Sequence, residues 1–339
     1  MPDYSPNLFV ATDGNDDTGD GSSSQPFATL LKAMTECNTN DVILVRQGNY
    51  QEKFNYSTTK NMTIVGEGLV RFFESSDESL EDHHSVTTTG TIRVINVTFE
   101  NTAVTSTPFR YGLLLSGGVV IASRLTVIAH GKWAFRVRGG TAYIRDCIIY
   151  GGEAGIDNRA VMGFFDNCEV YLDKYASTNT YAVIGLAAST SVSHFHDCKF
   201  FVTSIHTSTG AILSAVRNES PFSTIFLTRC RMTVESGVSQ AGQIIVVDAM
   251  ALSKIGLDSC EIISNPSSAV TTNKKIGATQ SAEVRYRNMD VALGDIVTSD
   301  GGVATFSEPP FESGIDRQIF GTPSGGPGGS GNFVISPLA

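Results

Sequence analysis

Five of the six cysteines in this 339-residue chain sit in one recurring frame: YIRDCII, FFDNCEV, HFHDCKF, FLTRCRM and GLDSCEI. The frame reads apolar, any residue, polar turn residue, cysteine, any residue, apolar. The segments NMTI, VINVTF, SRLTV and YRNMDV fit it with another apolar residue in the cysteine place. The markers are Met62, Val97, Leu125, Cys147, Cys168, Cys198, Cys230, Cys260 and Met289, with intervals of 21 to 35 residues. A period of that size with short strand-like segments is what one coil of a solenoid requires.

Stacked coils pair their backbones at about 4.8 Å, so inward residues form columns. The marker column would hold Met, Val, Leu and Cys. Immediately before the markers stand Asn61, Asn96, Arg124, Asp146, Asn167, Asp197, Arg229, Ser259 and Asn288. Asn and Asp tolerate the left-handed backbone that a sharp bend between strands demands. The expected fold is all-β: a single right-handed parallel β-helix of about nine to ten coils, with a short N-terminal capping helix. Residues 1–39 form the N-terminal segment and helix, 40–300 the β-helix, and 301–339 a C-terminal extension.

In that placement each ladder cysteine is a small apolar core residue, usually buried and unreactive. The rival is a disulfide or metal ladder. No C-x-x-C pair is present and the ladder cysteines lie at least 21 residues apart, so zinc-finger spacing is absent. Cys37 stands apart, on the predicted helix.

Composition narrows the function classes. Hydrophobic residues at 41% and charged residues at 17% fit a packed chain and not a disordered one. A net charge of −10 argues against nucleic acid as a partner, and equally against simple attraction to polyanionic sugars. No apolar run approaches the ~20 residues of a membrane span. The opening MPDYSPNLFVATDG lacks a basic stretch followed by an apolar one, so no signal peptide is read there. The sequons at Asn55, Asn61, Asn96 and Asn218 carry little weight without a secretory route.

At the N-terminus, Ser24 can cap a helix with Pro26 in its first turn, and Phe27, Leu30, Leu31 and Met34 would form its apolar face. In the preceding acidic loop, Asp13, Asn15 and Asp17 alternate as in a calcium loop. The glycine is displaced to Gly19 and Ser24 occupies the twelfth place, so a solvated turn is the plainer reading and calcium the alternative. At the other end, Pro309 and Pro310 precede the linker-like GTPSGGPGGSGN, and Phe333 to Ala339 close the chain. That last segment reads as a disordered terminus or as a docking peptide adding a strand to a partner.

The opening, LFVATDGNDDTGDGSSSQPFATLLKAM followed by NDVILVRQGNY, resembles that of secreted and viral β-helix proteins. Between residue 134 and about 230, the segment AFRVRGGTAYIRDCIIYGGEAGIDNRAVMGFFDNCEV is similar to the pectinesterase family, of the pectin-lyase-like superfamily, around its first catalytic motif. Carried over on that resemblance, the acid/base aspartate falls on Ala154, with Glu153 in place of the preceding glutamine. The nucleophilic aspartate falls on Tyr181 within TYAVIG, and the assisting arginine is retained as Arg217. Ester hydrolysis by that route needs one carboxylate to attack and another to shuttle the proton, which these residues do not supply.

Other chemistry stays open on the same face. Arg136, Arg138, Asp157, Arg159 and Arg217 are the candidate ligand-binding residues, expected on outward strand positions or adjacent turns. Glu153, Asp157 and Arg217 are the weak catalytic candidates. Glu153 and Asp157 would stand ~13 Å apart along an extended strand, too far for either glycosidase geometry. His194 and His196 alternate with inward Phe195 and should point outward, with no third metal ligand evident. His83-His84 reads as a loop pair, and Trp133 could stack on a sugar or lie in the core.

Three classes follow. The first is a non-catalytic structural or glycan-binding β-helix. By the resemblance of its opening this would be a phage or viral spike, fibre or capsid decoration at the virion surface. Its partners would be virion proteins and cell-surface glycans, its assembly a homotrimer, and its docking element the C-terminal tail. The second is a polysaccharide lyase or depolymerase with a surface or intersubunit site. The third is an extracellular bacterial carbohydrate-binding protein.

Overall fold

The computed structural model describes residues 5–74, 84–101, 111–129, 133–152, 154–173, 180–185, 191–204, 212–221, 223–236, 242–268, 270–307, 316–320 and 334–337. The chain forms two compact units, Met1–Gly151 and Gly152–Ala339. Both are built from parallel sheets.

In the first unit, one sheet takes a strand from each turn of the chain, so that Leu8, Ile43, Ile64, Val94, Ala122 and Ile144 stand opposite one another in series. A second aligns Phe54, His84, Leu113 and Phe135. A third aligns Tyr50, Phe72, Phe99, Val127 and Ile149, all buried. The phenyl rings of Phe72 and Phe99 stack at 5.8 Å, and Phe54 meets both edge-on. Offset and edge-on contacts suit the ring quadrupoles, and full burial of each ring contributes roughly 2–3 kcal/mol. Two sheets share the long strands Tyr111–Ser123 and Trp133–Arg145, which turn at stacked glycines. Gly139 takes φ 107°, and a Cβ there would lie 1.9 Å from the Gly117 oxygen, so no other residue fits.

The second unit repeats the plan. Its first sheet aligns Ile156, Val183, Val216, Val247, Ile276 and Ile296. Its second aligns Phe165, Phe195, Leu227, Leu257 and Tyr286, with the Phe165 and Phe195 rings stacked at 4.5 Å. Its third runs through Val170, Phe200, Met232 and Ile262. At the C-terminal end, Val303–Ser307 pairs antiparallel with Asp316–Phe320, which pairs antiparallel with Val334–Pro337. The tail backbone is thus a strand paired within its own chain.

The left-handed bend expected before each marker is present at eight of nine positions. Asn96, Arg124, Asp146, Asn167, Asp197, Arg229, Ser259 and Asn288 have φ between 49° and 57°. Asn61 does not, and the marker column explains why. Thr98 pairs with Arg71, which places Val97 opposite Val70, while Met62 pairs with Asp41 and Ile92 in another sheet. In that turn the bend is made at Glu67–Leu69 with Gly68 at φ 69°, and Val70 is the true marker. All six cysteines are buried and free of disulfides. Cys198, Cys230 and Cys260 each donate a thiol hydrogen bond to a backbone carbonyl of the preceding turn, at 3.4 to 3.5 Å.

The N-terminal helix is shorter than expected, Leu30–Glu36, and its cap is Thr29 and not Ser24. Phe27 is held in a parallel bridge to Val10, so the helix cannot begin there. Carboxylates satisfy its open amides instead. Asp16 accepts from the Ala28 and Thr29 amides at 2.8 and 3.1 Å. Glu52 accepts from Leu30 and Leu31 at 2.9 and 2.7 Å. Negative charge is favourable at a helix start. Leu30, Ala33 and Met34 form the buried face, whereas Leu31 is 38% exposed.

The bends generate a paired test. Ser259 sits at φ 55° with its side chain exposed. Ser259→Val should destabilise the protein by about 1–2 kcal/mol, because a β-branched residue is strained in the left-handed region. Ser259→Gly should leave it as stable or raise it by a few tenths of a kcal/mol. Chemical denaturation of both variants reads the difference, and equal stability would show that this bend is not under conformational constraint.

Candidate functional site

The candidate residues divide between the units. In the first, Arg136 is buried and its guanidinium lies 3.5 Å from the Tyr111 ring centroid, while Arg138 is half-buried on the same strand. A guanidinium over a ring face gains electrostatic attraction that offsets part of its desolvation. In the second unit, Asp157, Ile184, Arg217 and Asp248 stand opposite one another on successive strands of the first sheet. Glu153 and His83 lie outside the described residues, as does the side chain of Trp133.

Of the candidates expected at outward positions, Arg136, Asp157 and Arg217 are buried, and so is Asp248 beside Arg217. The Asp157 side chain is 0% exposed, Arg217 6% and Asp248 3%. The strand faces outward at these positions, yet the groups are withdrawn from water, and local pairing makes that tolerable. Arg159 Nε lies 3.2 Å from Asp157 Oδ1. Arg217 Nε lies 2.6 Å from Glu219 Oε1 and 3.5 Å from Asp248 Oδ2. A buried charge without such partners would cost several kcal/mol. Burial still raises the Asp248 carboxyl to about 6; the neighbouring Arg217 lowers it only in part, and Glu219 adds to the rise.

The two positions matched to the catalytic aspartates of the pectinesterase family stand side by side: Ala154 pairs with Tyr181. Tyr181 in turn pairs with Ser214, three residues before Arg217 on that strand. Arg217 is therefore displaced along the strand from the alanine–tyrosine pair and joined to Glu219 and Asp248. Neither of those carboxylates was singled out from sequence. The signal was present in QIIVVDAM, where one aspartate interrupts an otherwise apolar strand.

The second sheet of this unit carries a different surface. His194 does face outward, but its ring is stacked between Phe164 at 5.2 Å and Phe226 at 5.1 Å. Beyond Phe226 opens a groove of about 440 Å³ lined by Thr224, Lys254, Asp258, Glu283, Arg285 and Arg287, among others. Phe226, itself 42% exposed, forms one wall.

His196 Nδ1 is 3.1 Å from both Asp166 Oδ1 and Asp197 Oδ2, the one three-ligand cluster among the described residues. Arg229 forks onto the Asp197 carboxylate with two bonds of 2.8 Å and contacts His196 Nε2, so a cation already sits on that cluster. His84, expected in a loop, is wholly buried in strand His84–Thr88 against the rings of Phe54 and Phe99. In the acidic N-terminal loop, Asn15 Oδ1 accepts from the amides of Asp17 and Thr18 at 2.8 and 2.9 Å, an Asx turn that occupies the oxygen a cation would use. No helix among the described residues is long and apolar enough to cross a membrane.

Residues 12–107 match a family described as a protein of unknown function (DUF1565). No curated protein matches the sequence. Among solved structures, the chain is similar to pectin methylesterase PemA from Erwinia chrysanthemi, with 15% identity over 70% of this chain and 82% of that one and a TM-score of 0.50. It is similar to the same extent to a pectin methylesterase in complex with a hexasaccharide, at 16% identity, the same coverage and a TM-score of 0.50. At such identity the likeness speaks for the fold. Together with the parallel pairing of successive turns, it makes this a right-handed parallel β-helix.

Proposed function

We propose that this chain is a non-catalytic glycan-binding β-helix. The observation that carries the reading is the pairing of Ala154 with Tyr181 on adjacent strands. Those are the positions where the resembling esterases would hold their two aspartates, and neither residue can attack a carbonyl as a carboxylate or shuttle its proton. On that sheet Asp157 is paired with Arg159, and Arg217 with Glu219 and Asp248. Glu219 and Asp248 both contact the same nitrogen of Arg217, which keeps their oxygens within about 6 Å, near a glycosidase separation. Arg217 stands between them, however, and Asp248 is buried, so no glycosidic oxygen fits the gap. The glycan half of the reading comes from a neighbour of the same fold, a pectin methylesterase with a bound hexasaccharide.

On this reading the Arg217 cluster is structural, and its pH behaviour follows from Asp248. A carboxyl raised to about 6 keeps its proton in the folded chain while the unfolded chain, near the ordinary value of 3.8, has released it. The folded state therefore binds more protons between those values, and stability falls as pH rises from about 4 to 6, then levels off. The loss is on the order of 2–3 kcal/mol. Asp248→Asn should flatten that slope, measured as unfolding free energy against pH for variant minus wild type; parallel profiles would refute the shift.

The activity test pairs binding with turnover. Calorimetry against a panel of plant and bacterial oligosaccharides should detect a bound glycan. Assays of methanol release, reducing ends and unsaturated product on the same panel should stay at background. Any product that depends on the protein ends the non-catalytic reading, and a panel without a single binder ends the glycan reading.

A further inference from the structure

The second sheet of the Gly152–Ala339 unit presents a column of residues that its core does not use. Phe164, His194, Phe226, Gly256 and Arg285 stand opposite one another on five successive strands, alternating with inward Phe165, Phe195, Leu227, Leu257 and Tyr286. The first three are flat rings stacked face to face, with interplanar angles of 12° and 20°. Partial burial holds the His194 imidazole below its ordinary pKa, so at neutral pH it is an uncharged ring like its neighbours. An outward phenylalanine that is 42% exposed contributes little to the core.

Glycine 256 shapes the next rung. A Cβ there would lie 2.8 Å from Phe226 Cδ1, so the missing side chain is what lets the Phe226 ring lean over the following strand. The ring thereby walls the groove of about 440 Å³. Three cations of the groove share two carboxylates. Arg285 Nε is 2.5 Å and Lys254 Nζ 3.9 Å from Glu283, and Arg287 is 2.6 Å from Asp258. A polyanionic ligand would meet both carboxylates beside these cations, which leaves it little net attraction. Hydroxyl groups, by contrast, can donate to the carboxylates and accept from the guanidinium groups without breaking a pair. Aromatic faces beside paired polar groups in a concave site are the composition that binds an uncharged sugar ring.

We propose that this outer face, at Phe226 and the groove beyond it, binds a neutral oligosaccharide, one sugar ring against the exposed part of the Phe226 ring and the next among the groove's polar groups, since both faces of His194 are taken up in the stack. The assignment rests on the glycan-binding reading above and adds the subsite and the ligand class. It is distinct from the sheet that carries Ala154 and Arg217.

The experiment compares wild type, Phe226→Ala, Phe226→Trp and Gly256→Ala. Calorimetry would use neutral hexasaccharides (cello-, xylo- and manno-series) and an oligogalacturonate of equal length. Thermal melts and gel-filtration mass serve as controls. Wild type should bind at least one neutral series more tightly than the galacturonate. Phe226→Ala and Gly256→Ala should each weaken that binding about tenfold, and Phe226→Trp should keep it, with melts and mass unchanged. Neutral binding untouched by Phe226→Ala would place the glycan elsewhere and overturn the subsite while leaving the broader reading intact. Preference for the galacturonate would overturn the ligand class. A change of mass in Phe226→Ala would make the face a contact between copies of this chain. Failure of every glycan to bind wild type would remove the broader reading itself.

Discussion

Backbone pairing between successive turns is the interaction on which the rest of this architecture depends. Each strand satisfies its amides and carbonyls on the strand before and the strand after, so a turn of chain must return to the same height and register. One residue in the left-handed region, at the bend that leads into the third sheet, secures that return. Its φ stays within 49° to 57° from Asn96 to Asn288 although the residue changes among Asn, Asp, Arg and Ser. The constraint is on the backbone, and the side chain is free to do other work. Asp197 and Arg229 use that freedom to pair with each other across two bends.

Register also decides which side chains meet. A residue in such a stack has the same-position residue of the next turn as an obligatory neighbour about 4.8 Å away, whatever their chemistry. Apolar rings profit, as Phe165 and Phe195 do on the inside. Charges are forced either to alternate or to separate. The column Asp157, Ile184, Arg217, Asp248 does both, an aliphatic residue spacing the first pair and opposite charges meeting in the second. The same geometry that would bring two catalytic aspartates side by side brings together Ala154 and Tyr181 here.

Much of the fold was legible because its constraint is periodic. The bend residues and the cysteine column could be read from spacing, since both belong to a single position of a repeated turn. Met62 was misread for the same reason: NMTI imitates the frame, but the preceding bend in that turn is spread over Glu67–Leu69 and the column passes through Val70. The helix start failed on a contact remote in sequence, the Val10–Phe27 bridge together with the Asp16 and Glu52 carboxylates that cap it. Burial of Asp157 and Arg217 was unreadable from parity alone. Alternation tells which way a side chain points, and it does not tell what lies beyond the strand.

Parity read more strictly would nevertheless have found the aromatic column. In TIFLT the inward positions are Ile225 and Leu227, so Phe226 must face out, and a large apolar residue at an outward position carries no stabilising role in the core. The residues at the same height in the two preceding turns are Phe164 and His194, and the one in the next is glycine. The three flat rings stack on one another along the outside of the sheet, and the residue with no side chain beside the last of them opens the groove that Phe226 walls. The proposed ligand meets the exposed end of this stack at Phe226 and takes the room beside it. The absent Cβ of Gly256 is therefore as informative about function as any charged residue in the chain.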